Sequence, residues 1–144
     1  MMIDKLDPEF VEFMPKELRS GKLYISIRFR TTSHLCASGC GTRVVLPLSP
    51  AEWKLYYDGE TVSICPSVGN WEFPCRSHYW IRKNKIVWAK PMDQDQIDRR
   101  RGRDADELDA YFAERTSNAE PPRARPTVHT WSARLRTWLR LGGR

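Results

Sequence analysis

Leu23, Ile25, Ile27 and Phe29 alternate with polar or amphipathic residues along 22–30, the two-residue period of a strand with one buried face. A second strand is predicted over 42–48, ended by Pro47 and by Ser49-Pro50. Residues 53–57 alternate again, Asp58-Gly59 is a strong turn signal, and 60–65 return as the hairpin partner. The stretch 66–74 carries proline at both ends and reads as a loop. Residues 77–81 and 85–89 then form a last hairpin across Lys83-Asn84, with Trp80 and Trp88 adding apolar bulk. Residues 3–20 mix acids with Phe10, Val11, Phe13 and Met14 and read as an irregular or one-turn helical lead-in. The expectation is a mainly β fold of five or six short antiparallel strands, of zinc-ribbon or small-barrel type.

The pattern changes at Pro91. Residues 91–115 read as a helical extension, its helix running from Asp104 to Arg115 with acids at the N-terminal end, where the helix dipole favours them. Leu108, Tyr111 and Phe112 give it an apolar stripe. A proline-rich linker follows over 116–126. Residues 127–144 read as a basic amphipathic helix with Trp131, Leu135 and Trp138 on one face. The organisation predicted is therefore a β-rich zinc-binding domain over 1–90 with three C-terminal appendages.

At 144 residues the chain is long enough for one domain with a modest core. Net charge is +6, and its distribution says more than its size. Residues 91–144 carry 11 basic residues against 9 acids, and every basic one is arginine. The chain starts with neither a basic stretch nor an apolar run, so no signal peptide is expected, and no stretch reaches the roughly 18 apolar residues of a membrane span. A cytoplasmic protein with no membrane association is the expectation. There thiols stay reduced, and paired cysteines point to metal more often than to a disulfide.

Cys36 and Cys40 stand as C-x3-C in one stretch, and Cys75 and His78 as C-x2-H in another. Thiolate sulfur and imidazole nitrogen are the donors that Zn2+ takes tetrahedrally, and two short arms from separate turns are how small proteins build such sites. Gly39 and Gly41 let the backbone fold tightly enough to aim sulfur inward. Cys36, Cys40, Cys75 and His78 are thus the predicted zinc ligands. Four buried, unrelated thiols are the plainer alternative. A site with all four ligands bound is closed and structural, whereas three ligands plus water could hydrolyse an amide with Glu72 as base.

Three motifs carry a resemblance: His34-Leu35-Cys36 with Gly39-Cys40-Gly41, then Pro66-Ser67-Val68-Gly69-Asn70-Trp71, then Cys75-Arg76-Ser77-His78-Tyr79-Trp80-Ile81. Over about residues 8–90 the chain resembles a small bacterial family of unknown function reading HLCxCGCG, PSIGNW and CRSHYWI. That family is often encoded beside bacterial relatives of ubiquitin-activating and ubiquitin-conjugating enzymes in phage-defence regions. The resemblance implies a role with a ubiquitin-like protein or those enzymes, including that of a peptidase acting on the modifier. Where the family has its middle cysteine this chain has Ser38, so Cys65 is a candidate substitute ligand.

Nucleophilic catalysis is the second chemistry in these motifs. Ser67 and Ser77 are the candidate nucleophiles, His34 and His78 the candidate bases, and Asn70 or Asp58 the orienting group. If His78 binds metal, His34 remains as the base, which makes Ser67 with His34 the expected catalytic pair. Ser77 and His78 are not a dyad, because neighbours on a strand point to opposite faces. A cysteine thiolate with His34 is a further alternative. Arg99-Arg100-Arg101-Gly102-Arg103, with Trp131 and Trp138, leaves nucleic-acid binding as a weaker alternative, since nearby aspartates would pair with the arginines. The ending Leu139-Arg140-Leu141-Gly142-Gly143-Arg144 looks like a ubiquitin-like tail, although a glycine pair closing a helix explains it more simply. The expected function is that of a zinc protein in a ubiquitin-like conjugation system, as peptidase or as a non-catalytic recruiting module.

Overall fold

A computed structural model gives the structure of residues 1–118. Eight strands form two four-stranded sheets. The first has the order β1 (Asp7–Phe10), β2 (Lys22–Ser26), β3 (Thr31–Leu35), β4 (Arg43–Pro47), antiparallel except that β1 runs parallel to β2. The second, β5 (Lys54–Tyr57), β6 (Val62–Gly69), β7 (His78–Arg82), β8 (Lys85–Trp88), is antiparallel throughout. Helix α1 (Gln94–Ser117) follows. The mainly β expectation holds, but the sheets do not close into a barrel.

Both sheets contribute to one core, in which Leu23, Ile25 and Leu46 join Ile64, Tyr79 and Ile81. The segment before β1 stitches the halves together. Ile3 N–H donates to the Ala37 carbonyl, Ile86 N–H to Asp4, and Leu6 N–H to Asn84, each at 2.8 Å. The hairpin at Lys83-Asn84 forms as read. Both residues take left-handed φ (47° and 66°), as a tight two-residue β-turn requires, and Asn84 Oδ1 accepts the buried Val62 N–H at 2.8 Å.

Four local readings change. The alternation across 22–30 is not one strand: Ile27 and Phe29 are 61% and 52% exposed. The chain reverses there, with Arg30 at φ 47° donating its N–H to the Ile27 carbonyl, and β3 returns along β2. The lead-in contains a strand, β1, whose Pro8 is tolerated because β1 is an edge. The stretch read as a loop from Pro66 belongs to β6 as far as Gly69, with a register shift between Ile64 and Val68 that lets in a residue lacking an N–H. Helix α1 starts ten residues before Asp104. Asp93 accepts the Gln96 N–H at 2.8 Å and Gln96 Oε1 accepts the Asp93 N–H at 3.2 Å, a capping box that fixes this start. The helix also takes in the first residues of the predicted linker. The rest of that linker and the helix read over 127–144 lie outside the described residues. No helix among the described residues is long and apolar enough to cross a membrane.

His34 on β3 ties the sheets together, its Nε2 sharing a 2.8 Å hydrogen bond with the Tyr79 hydroxyl of β7. Burial holds His34 neutral, down to about 4 against an ordinary 6.5. Between those values the unfolded chain takes up a proton that the folded chain refuses, so stability falls as pH drops through that window. One such group accounts for a slope of up to about 1.4 kcal/mol per pH unit. Urea midpoints at pH 7 and pH 5 test this: the midpoint should fall, and His34→Gln should flatten the dependence. An unchanged midpoint in the parent protein would contradict the assignment.

Candidate active site and cysteine cluster

The hairpin of β6 and β7 builds the site. Its register pairs Val68 with Tyr79 and Gly69 with His78, so Ser67 and His78 fall diagonally on one face. Ser67 Oγ lies 2.9 Å from His78 Nε2. Both are nearly buried, at 5% and 8% exposure. The Trp71 indole packs edge-to-face on the imidazole at 4.8 Å, and Trp80 tilts against it at 5.5 Å. Gly69 makes room for this, since a Cβ there would lie 2.5 Å from the Trp71 ring.

His78 is held below its ordinary 6.5, first by burial and second by the positive Arg100 guanidinium. The imidazole is therefore neutral near pH 7. With its proton on Nδ1, Nε2 can accept from the serine hydroxyl, which is the relation of nucleophile and base in acyl transfer. His78 Nδ1 is buried without a hydrogen-bond partner among the described residues.

Ser67 opens on a cleft of about 300 Å³ walled by Trp53, Trp71, Arg100, Arg101 and Asp104. A second cleft of about 410 Å³, reaching Cys65 and Leu108, shares Trp53, Pro66 and Asp104 with it. The two form one groove between the second sheet and α1. Arg101 bonds Glu72 at 3.1 Å and Arg76 bonds Gln94 at 2.8 Å, which fastens the helix across the β6–β7 connection.

The cysteines gather ahead of β7, where Ser38, Cys75 and Ser77 line a cleft of about 550 Å³ together with His78. The sulfurs of Cys36, Cys40 and Cys75 all lie within 4.8 Å of one another, a group able to hold a metal ion. Gly39 and Gly41 take left-handed φ (80° and 77°) around Cys40, the freedom expected of them. Hydrogen bonds from Ser38 and then Thr42 lower the Cys40 thiol to about 6. Desolvation opposes the Cys75 thiolate, but hydrogen bonds from Ser38 and Ser77 together outweigh it and the thiol lies below its ordinary range. Burial pushes Cys36 up. Three soft donors, two of them poised to ionise, fit a borderline divalent cation.

The structure thus redistributes the residues singled out in the sequence. His78 is not among the ligand atoms of the cysteine group and faces Ser67 instead. His34 faces Tyr79 in the core, so it is not the partner of Ser67. Cys65 is exposed and stands outside the cluster. Ser77 faces the cysteines, 3.1 Å from Cys36 Sγ, and accepts from Asn70 Nδ2 at 2.9 Å. Asp58 serves its own turn, accepting from the Thr61 N–H at 2.6 Å and the Glu60 N–H at 3.0 Å. Glu72 is largely solvated and bound to Arg101. Sequence reasoning missed the Ser67–His78 pair because ligand spacing assigned His78 to the metal and 66–74 read as a loop, which hid the β6–β7 register that puts the two on one face.

No curated protein and no solved structure matches the chain. A family model described as "Bacterial ubiquitination-like system serine protease (BubE)" matches residues 10–89. The matched span holds both the Ser67–His78 pair and the three clustered cysteines, and agrees with the stretch that carries the resemblance to families of ubiquitin-like conjugation regions. Matched over more than half of its 144 residues, the chain belongs to the BubE family of bacterial ubiquitination-like systems.

Proposed function

We propose that this protein is a serine peptidase that cleaves an acyl bond at the end of a ubiquitin-like modifier, with Ser67 as nucleophile and His78 as general base. The observation that carries this reading is the 2.9 Å contact between Ser67 Oγ and His78 Nε2 on one face of the hairpin. As Ser67 Oγ bonds to the substrate carbonyl carbon, its proton passes to Nε2. When the carbon–nitrogen bond breaks, His78 returns that proton to the leaving amine. Water then attacks the acyl-serine by the same route, giving up its proton to Nε2, and as the ester bond to Oγ breaks His78 returns that proton to Ser67, releasing the carboxylic acid. The groove along α1, which reaches Ser67, is the place for an extended chain end, and Trp71 and Trp80 pack on the imidazole and fix its plane.

The partner in this reading is the ubiquitin-like protein, or its conjugate, of the system to which the family belongs, acting in the cytoplasm. The cysteine cluster holds Zn2+ in a structural role, because neither Ser67 nor His78 is among its ligand atoms and its donors are soft. The bound ion fastens the loop of Cys36–Cys40 to the start of β7.

A fluorophosphonate probe tests the nucleophile without knowledge of the substrate. Intact mass should show one adduct, mapped to Ser67, and Ser67→Ala and His78→Ala should each abolish it. Cleavage of a modifier carrying a C-terminal extension should fall at least about 10³-fold in both variants. Labelling at another serine, or cleavage that survives Ser67→Ala, would refute the assignment.

The pH profile tests the base. kcat/KM should rise with pH through an apparent pKa below 6.5 and level off by neutrality, because only neutral His78 accepts the proton. Removing the neighbouring charge with Arg100→Gln should move that acid limb to higher pH. An unmoved limb would show that Arg100 does not act on His78.

For the ion, purified protein should carry about one equivalent of zinc by elemental analysis, and stripping it with a chelator should lower Tm. Fully folded, equally stable metal-free protein would remove the structural role.

A further inference from the structure

We propose that Ser38 supplies the fourth donor of the cysteine site, so that the cation is held by three sulfurs and one hydroxyl oxygen of this chain. The inference rests on the reading of Cys36, Cys40 and Cys75 as a metal site and adds the residue that completes it.

The three sulfurs alone leave one corner of a tetrahedron open. With zinc–sulfur bonds of about 2.3 Å, two sulfurs of a tetrahedral site stand about 3.8 Å apart. Cys36 Sγ and Cys75 Sγ are 3.8 Å apart. With a zinc–oxygen bond of about 2.0 Å, a hydroxyl at the fourth corner would stand about 3.5 Å from each sulfur. Ser38 Oγ is 3.2 Å from Cys36 Sγ and accepts the Cys40 N–H at 3.4 Å. One side-chain oxygen therefore stands beside the group of three sulfurs, which themselves lie within 4.8 Å of one another.

The local backbone explains why Ser38 can do this. It lies between Cys36 and Cys40 in a tight turn, where Gly39 N–H donates to the Cys36 carbonyl at 3.0 Å. Gly39 follows at φ 80°, and a Cβ there would collide with the Met1 backbone at 2.4 Å, so the turn takes only glycine at this position. Cys40 N–H reaches back to Ser38 Oγ at 3.4 Å, which holds the hydroxyl over the knuckle.

His78 is engaged by Ser67, and Cys65 stands outside the cluster. Ser77 Oγ touches Cys36 but is also bound to Asn70, so its hydroxyl is already committed. A hydroxyl is a weaker donor to zinc than a thiolate, so the fourth position of this site exchanges more readily than a fourth cysteine would.

Titration of the full-length apoprotein with Co2+ reads both affinity and donor set. The parent protein should give tetrahedral d–d bands and sulfur-to-cobalt charge transfer of three-thiolate strength. Ser38→Cys should raise the charge-transfer intensity by about a third, as a fourth thiolate joins the set, and should tighten binding by roughly tenfold or more. Ser38→Ala should weaken it by roughly tenfold and shift the d–d bands, as water takes the corner. Parent protein that binds Co2+ with an unchanged spectrum and affinity in both variants would overturn the role of Ser38 and leave the three-cysteine site standing. Parent protein that binds no Co2+ or Zn2+ would overturn both.

Discussion

The two-residue period of β7 is the constraint on which the rest depends. Tyr79 and Ile81 enter the core, and Ser77 just ahead of them turns to the cysteines, while His78 and Trp80 face the other way. One strand thus sends Ser77 and His78, neighbours in the sequence, to different partners, the Cys36 sulfur and Ser67. A one-residue slip in its pairing would exchange them, sending His78 to the sulfurs and Tyr79 toward Ser67. The slip is opposed by Tyr79, which is wholly buried and bonded to His34 on the opposite sheet, and by Asn70, whose side chain binds Ser77 and whose N–H donates to the Ser77 carbonyl at 2.8 Å.

Where alternation and turn chemistry were unambiguous, the sequence was a sound guide. The hairpins at Asp58-Gly59 and Lys83-Asn84, the alternating burial of Val44 and Leu46, and the glycines around Cys40 are all local properties. The two missed strands and the late start assigned to α1 came from features that period counting does not see: a chain reversal at Arg30, an edge that accepts Pro8, and a cap at Asp93. The same limit shaped the site. Cys75 and His78 sit at ligand spacing, yet spacing does not say which face of a strand each occupies. The cysteines were legible as a group; the partner of Ser67 depended on a cross-strand register that no single stretch contains.

Helix α1 lies outside the matched family span, yet it shapes the groove beside the serine. Its apolar stripe is thin, with Ile97 its one buried residue, so it is held largely by polar ties such as Arg101–Glu72 and Arg76–Gln94. An exposed ion pair such as Arg101–Glu72 contributes only about 0–1 kcal/mol. The run of arginines that suggests phosphate binding in the sequence turns out to have two other employments. Arg101 fastens the helix, and Arg100 keeps a positive charge near His78, which favours the neutral imidazole that the proposed role of general base requires.

The cysteine cluster and the serine are connected through very little chain. Cys75 precedes His78 by three residues, across a turn in which Arg76 takes φ 43° and donates its N–H to the Phe73 carbonyl at 2.9 Å. Pinning Cys75 to the Cys36–Cys40 knuckle therefore fixes where β7 begins. Ser77, lying between them, touches the Cys36 sulfur and carries the same constraint through Asn70 to Tyr79. A serine–imidazole contact is useful only if it is held to a fraction of an ångström, and loops achieve that less well than anchored strands. In a domain this small the core alone is modest, so a cation held by the three cysteines, as proposed, would place its stabilisation where the Ser67–His78 contact is most sensitive to it. In that reading the metal acts on the proposed reaction only through the position of His78.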